Sequence, residues 1–252
     1  MGVIVKIRER ARMCYSAEVS FASASTLIPM GVYCLRAAAF KAPRYWPLAA
    51  IPLFFGIQQA GEGLVWTGVA RADRPMVAVA AQFYLFFAMA FWPTWFSLSA
   101  FLIETRSALR RCLAAWTVLS TGWFFIYYLP MALGAIPVEV LVVRHSIRYE
   151  HPWDAAALSV TARTGLRLLY LFTAAVPLLL TSERRKLYLP VALGTASAVV
   201  AAWSFDYAFT SVWCLLAAVC STYTTYRFAV LPKAKDQGIL GQVGGDDPAD
   251  RP

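Results

Sequence analysis

Charged residues are spaced far apart along this chain, and the stretches between them are apolar. Charge-free runs occupy residues 19–35, 75–103, 112–138, 168–182, 187–205 and 207–226, and residues 46–70 join them with Glu62 as the one interruption. A helix crosses the hydrocarbon layer of a bilayer with about 20 predominantly apolar residues, and about 17 suffice. The runs therefore predict an all-α fold, a polytopic membrane protein built as a seven-transmembrane-helix bundle. The segments of about 10 residues with period-2 alternation that mark a membrane β-barrel are not found. Residues 1–12 read as a basic leader carrying Lys6, Arg8, Arg10 and Arg12. No apolar stretch follows them as a cleavable signal requires, and Met13 is an alternative start. Residues 13–231 form the seven-helix domain, and 232–252, rich in Gly, Asp and Pro, read as a disordered tail.

Composition sharpens this picture. Of 252 residues, 60% are hydrophobic and 15% charged, and the mean hydropathy is +0.57, whereas a soluble domain carries about 25% charged residues. The formal net charge of +9 is read as topology-setting loop cations, not as a nucleic-acid surface. One side of the seven runs receives thirteen Lys and Arg, among them Arg36, Lys41, Arg44, Arg106, Arg184, Lys186 and Arg227; the other receives six, with four more in the leader. The positive-inside rule then puts the amino terminus outside and the carboxyl terminus inside a multi-pass protein of the cytoplasmic membrane.

Five cysteines show no paired spacing, and His145 and His151 stand six residues apart, so no metal ligand set is predicted. Phosphate-binding glycine loops and HExxH are missing, and no cofactor is expected. Asp246, Asp247 and Asp250 form a DDxxD string, but Pro248 interrupts it and it reads as solvated tail. The last run has no lysine for a Schiff base.

Ionisable groups within apolar runs are costly and mark candidate sites. Glu62 leads, flanked by Gln58, Gln59, Gly61 and Gly63. Asp206 stands where the sixth and seventh runs meet, and Glu18 heads the first. Each also has a purely structural reading: a carboxyl bonded to a neighbouring helix, a helix cap, and a favourable charge at a helix amino terminus. Counting crossings brings all three to one membrane face, with the 135–163 connection and its Glu139, His145, Glu150, His151 and Asp154. Acids gathered in a low dielectric include one that stays protonated and can act as a Brønsted acid. Arg163 and Arg167, four residues apart on one helix face, are candidate counter-charges or interfacial cations. Trp66, Trp92, Trp123, Trp203, Tyr207 and Trp213 crowd the same half of the bundle. They are candidates to line a cation-guiding cavity, or to form interfacial belts.

Met13-Cys14-Tyr15-Ser16-Ala17-Glu18, Gly56-Ile57-Gln58-Gln59 followed by Glu62-Gly63-Leu64-Val65-Trp66, Phe91-Trp92-Pro93 and Ser211-Val212-Trp213-Cys214 resemble a bacterial family of small seven-span proteins that open with Met-Cys-Phe-Ser-Ala. Seven spans in this length, a glutamate in the second and an aspartate near the seventh also look like the membrane-bound terpene cyclases of meroterpenoid and indole-terpenoid pathways. That second resemblance implies metal-independent cyclisation, started by protonation, of a farnesylated indole or cyclodipeptide substrate. Glu62 and Asp206 would be the catalytic acids, and Glu18 takes no role from it. The alternative from another class is a small proton- or cation-coupled transporter or channel using the same two acids.

Overall fold

The computed structural model describes the backbone of residues 3–6 and the whole of residues 16–150 and 159–231. Seven helices run back and forth: α1 (Ala17–Lys41), α2 (Pro43–Ala70), α3 (Arg74–Ile103), α4 (Ser107–Ala132), α5 (Val160–Leu180), α6 (Arg184–Ser204) and α7 (Asp206–Ala229). Six of them, α2 to α7, are long and apolar enough to cross a bilayer. The expected seventh, α1, is not among these, because Ser20, Ser23, Ser25 and Thr26 lower its hydropathy. Two of those hydroxyls are satisfied within the helix: Ser23 donates to the Val19 carbonyl and Thr26 to that of Ala22, each at 2.9 Å.

Local sequence explains where the helices start and loosen. Asp73 caps α3 by accepting from the Met76 N–H, and Ser159 caps α5 by accepting from that of Ala162. Inside α3 and α4 the coil widens to π-helical turns at Phe86–Phe91 and Phe124–Tyr128. Each π turn ends just before an X-Pro pair, Trp92-Pro93 and Leu129-Pro130. Proline lacks the N–H and crowds the carbonyl four residues back, and the wider turn absorbs both defects.

Between α4 and α5 the all-α expectation is corrected by a small sheet. Strands β2 (Val138–Val143) and β3 (Ser146–Glu150) pair as an antiparallel hairpin, and β1 (Val3–Lys6) pairs parallel to β2 with Val3 opposite Val138. Thus part of the predicted basic leader is a strand, and the fourth apolar run leaves the helix at Ala132. Val138, Val140 and Val142 point inward and their neighbours are half-buried, the period of a strand with one covered face. The two-residue turn holds Arg144 and His145 at φ 46° and 65°, the left-handed pair that a right-twisted hairpin needs.

The hairpin's inner face packs on Val65, Trp66 and Val69 of α2 and on Val77 and Tyr84 of α3. It closes one end of the bundle over the most buried helices. At the seam of α1 and α2, Gly31 lies against the Leu53 backbone and Gly56 against Ile28, approaches that leave no room for a Cβ. Helices α4, α5 and α6 form the periphery and expose Leu119, Phe125, Leu168, Phe172 and Val199.

Candidate functional site

The hairpin end of α2 builds a buried polar cluster. Gln58, Gln59 and Glu62 stand three and four residues apart and share a helix face, and Glu62 is only 2% exposed. Opposite lies α7, which brings Ser211 and, one turn on, Cys214. The Ser211 hydroxyl donates a hydrogen bond to Glu62 Oε1. The Trp92 indole N–H donates to Gln58 Oε1 at 2.7 Å. Tyr84 donates to the Thr210 carbonyl at 3.2 Å and stacks on Tyr149 of β3 with ring centres 4.9 Å apart. The Tyr149 hydroxyl is buried without a partner. A buried carboxyl is tolerated only where hydrogen bonds replace its water; here Ser211 supplies the bond, and the hairpin seals the cluster from above.

Asp206 occupies a different environment. It lies on the turn that opens α7, is half exposed, and is held by Arg167 Nη1 at 2.6 Å and Arg163 Nη1 at 3.4 Å. The Arg167 guanidinium also lies 4.1 Å over the Phe209 ring, and Arg144 of the hairpin turn lies 5.4 Å over Tyr207. Glu18 is exposed at the start of α1. The three acids expected to share one cavity are therefore apart. Glu62 faces the α7 hydroxyl, Asp206 is drawn to the α5 cations, and neither of the two cavities described below is lined by any of the three.

A cavity of about 270 Å³ lies between α2, α3, α5, α6 and α7. Phe55, Trp92, Phe96, Tyr170 and Trp213 give it aromatic walls, and Lys186 and Arg227 stand at one end. Trp92 stacks on Phe55 at 3.9 Å and on Phe96 at 5.3 Å. A second cavity of about 60 Å³ is lined by Trp123, Tyr127, Arg167 and Phe209. Tyr170, Trp213 and Cys214 line both and form the partition between them. Among the predicted wall residues, Trp92, Trp123 and Trp213 line a cavity. Trp66 is instead core beneath the hairpin, Tyr207 lies under Arg144, and Trp203 is 88% exposed at the end of α6, so these three line neither.

Several residues of the site carry no charge and escape a search for ionisable groups. Ser211 and Cys214 are legible only as members of the Ser211-Val212-Trp213-Cys214 motif, Tyr84 only as one more aromatic in the same half of the bundle, and Tyr149 not at all. Glu104, just past α3, was also missed. It accepts from the N–H groups of Thr105 and Arg106 at 2.8 Å each, and from the N–H and hydroxyl of Ser182 at 2.6 and 3.0 Å. It thereby ties the α3–α4 turn to the α5–α6 turn. Burial pushes its carboxyl up, but these donors outweigh burial and hold it below the usual carboxylate range. His151, Asp154 and the DDxxD string lie outside the described residues. Among the described residues no group of three or more metal-ligating side chains is found, and Cys34, Cys112, Cys214 and Cys220 are free thiols.

Fold and site together define a helical protein with six helices able to span a bilayer, a sealed polar cluster and an aromatic cavity beside it. The chain belongs to a family of unknown function, DUF6629, whose model matches residues 13–237. No curated protein and no solved structure matches it.

Proposed function

We propose that this is a membrane-bound, metal-independent terpene cyclase that isomerises a prenylated substrate of the farnesylated indole or cyclodipeptide type. One observation carries the reading: the aromatic-walled cavity is separated from Glu62 by a single layer of side chains. Trp92 and Cys214 line the cavity; Trp92 donates to Gln58, and Cys214 lies beside Gln58 and Tyr84. A prenyl chain fits apolar walls, and aromatic faces stabilise a passing cation by about 0.5–2 kcal/mol each. In the proposed step the Cys214 and Trp92 side chains that part Glu62 from the cavity move aside, and protonated Glu62, then in contact with the substrate, gives its proton to a terminal alkene. The resulting cation is captured by a second alkene, forming a carbon–carbon bond, and the product cation loses a proton to the carboxylate. The atoms balance as an isomerisation, with the acid restored. Asp206, held by Arg163 and Arg167, is on this reading a positioning residue for Arg167, which lines the second cavity, and not a partner of Glu62.

On this reading the protein lies in the cytoplasmic membrane and α1 serves as a seventh span. That helix has 25 residues, about 37 Å at 1.5 Å per residue, and its Ser23 and Thr26 hydroxyls are satisfied internally.

A second reading, a proton- or cation-coupled transporter, is favoured by the two cavities lying on either side of the Tyr170, Trp213 and Cys214 partition. Incubating membranes with farnesylated indoles and cyclodipeptides separates the two. Cyclisation leaves mass unchanged, so a new retention time and lost olefinic NMR signals are read. We expect an isomer from the wild type and a drop of about 10²-fold or more in Glu62→Gln. An unchanged substrate panel across all members removes the cyclase in favour of transport, and full activity in Glu62→Gln removes the acid assignment.

A further inference from the structure

The larger cavity carries charged side chains at one end only. Its deep end is Trp92, Tyr170, Trp213 and Cys214, its middle is aliphatic, and its mouth is Tyr45, Lys186 and Arg227. We propose that this cavity takes a single-chain amphiphile, with its apolar chain against Phe55, Trp92 and Trp213 and a phosphate-type oxyanion at Lys186 and Arg227. The proposal rests on reading the cavity as the site of a prenyl chain, and it replaces the neutral indole or cyclodipeptide head of that reading by an anionic one.

Charge at the mouth is unbalanced. Lys186 Nζ lies 2.8 Å from Glu183 Oε2 and donates to the Tyr45 hydroxyl at 3.1 Å. Arg44 reaches the same Glu183 at 3.8 Å through Nη1, while its Nε and Nη2 are buried with no acceptor. The Arg44 and Lys186 cations stand 5.9 and 5.3 Å from the Tyr45 ring centre. Arg227 donates to Tyr223 at 3.5 Å, and among the described residues it has no carboxylate partner. Three cations (Arg44, Lys186, Arg227) less one acid (Glu183) leave a surplus of two positive charges. A phosphate monoester, at about −1.5 to −2, matches that surplus better than a carboxylate does, and guanidinium and ammonium groups are its usual partners. Size points to one chain, since about 270 Å³ is at the small end of ligand pockets, which run from about 300 Å³ upward.

The test uses the full chain in nanodiscs of neutral phosphatidylcholine, with farnesyl phosphate and farnesol as probes and tryptophan fluorescence as readout. We expect farnesyl phosphate to bind at least tenfold more tightly than farnesol, and added salt to weaken only the phosphate. Lys186→Gln/Arg227→Gln should erase the preference, and a thermal melt by circular dichroism that matches wild type shows that the variant is folded. Equal binding of the two probes, or an unaltered preference in the double variant, overturns the head-group assignment and leaves the cavity reading standing. Binding of neither probe overturns both. In discs containing phosphatidylglycerol we expect farnesyl phosphate still to bind. Phosphatidylglycerol retained one-to-one by native mass spectrometry, with farnesyl phosphate excluded, overturns a free ligand in favour of a bilayer headgroup.

Discussion

Single side chains settle how this protein keeps polar atoms inside an apolar bundle, and Glu62 and Glu104 do so in opposite ways. Glu62 has one hydroxyl donor and sits at the heart of the molecule; Glu104 gathers two turns at its edge through four donors. Glu104 contributes to the pH dependence of stability. Its folded-state pKa lies below the unfolded carboxylate value of about 4.3. Its contribution is therefore fully present above that value and is lost as pH falls through the folded pKa. Glu104→Gln removes the charge that the N–H groups of Arg106 and Ser182 hold. The variant should melt a few degrees below wild type in detergent at pH 7, with the gap closing as pH falls below the unfolded carboxylate value and through the folded one. A gap that stays constant over this range would show that the carboxylate charge is not what ties the two turns together.

At the scale of elements, the β2–β3 hairpin is the least helix-like segment and the one that closes the Glu62 cluster. Its turn places His145, which has a Cβ, at φ 65°, a conformation that costs an L-residue about 1–2 kcal/mol. His145→Gly relieves that strain. Arg144 is best left in place, because its guanidinium lies over Tyr207. The expected result is a hairpin about 1 kcal/mol more stable, seen as roughly fivefold slower amide exchange over residues 138–150. Faster exchange there would mean that the imidazole helps to hold the turn. The helices were legible in the sequence because charge-free runs are long and their ends are charged. The hairpin was not, since Val138 closes an apolar run and the alternation of Val138, Val140 and Val142 covers only six residues. Likewise Glu62 was legible as an acid among apolar residues, whereas its contact with Ser211 joins positions 149 apart in the chain. The shared face of Glu18, Glu62 and Asp206 was inferred from crossing number alone, which fixes the end of the bundle on which a residue lies and not the helix face it occupies.

For the whole molecule, the decisive property is that its two ends differ. The hairpin end carries the sheet, the Asp206 ion pairs and the Arg71–Asp73 turn. The other carries Lys41, Arg44, Lys186 and Arg227, together with the Glu104 tie. The excess of cations at the second end argues for the cytoplasmic side, and the apolar exteriors of α4, α5 and α6 argue for lipid around the bundle. Thiol labelling tests both at once. Cys112 is an exposed free thiol near the start of α4, at the basic end. Arg71 is exposed at the other end of α3, so Arg71→Cys provides a second thiol one crossing away. Replacing Cys14 by Ser removes the cysteine that lies outside the described residues. In intact cells a membrane-impermeant maleimide should label Arg71→Cys and spare Cys112, and permeabilised cells should label both. The reverse pattern would invert the orientation and put the hairpin and the Asp206 cluster in the cytoplasm. Labelling of both sites from one side would mean that α3 does not cross, and with it would fall the bilayer frame in which Glu62 is a buried acid beside an apolar cavity.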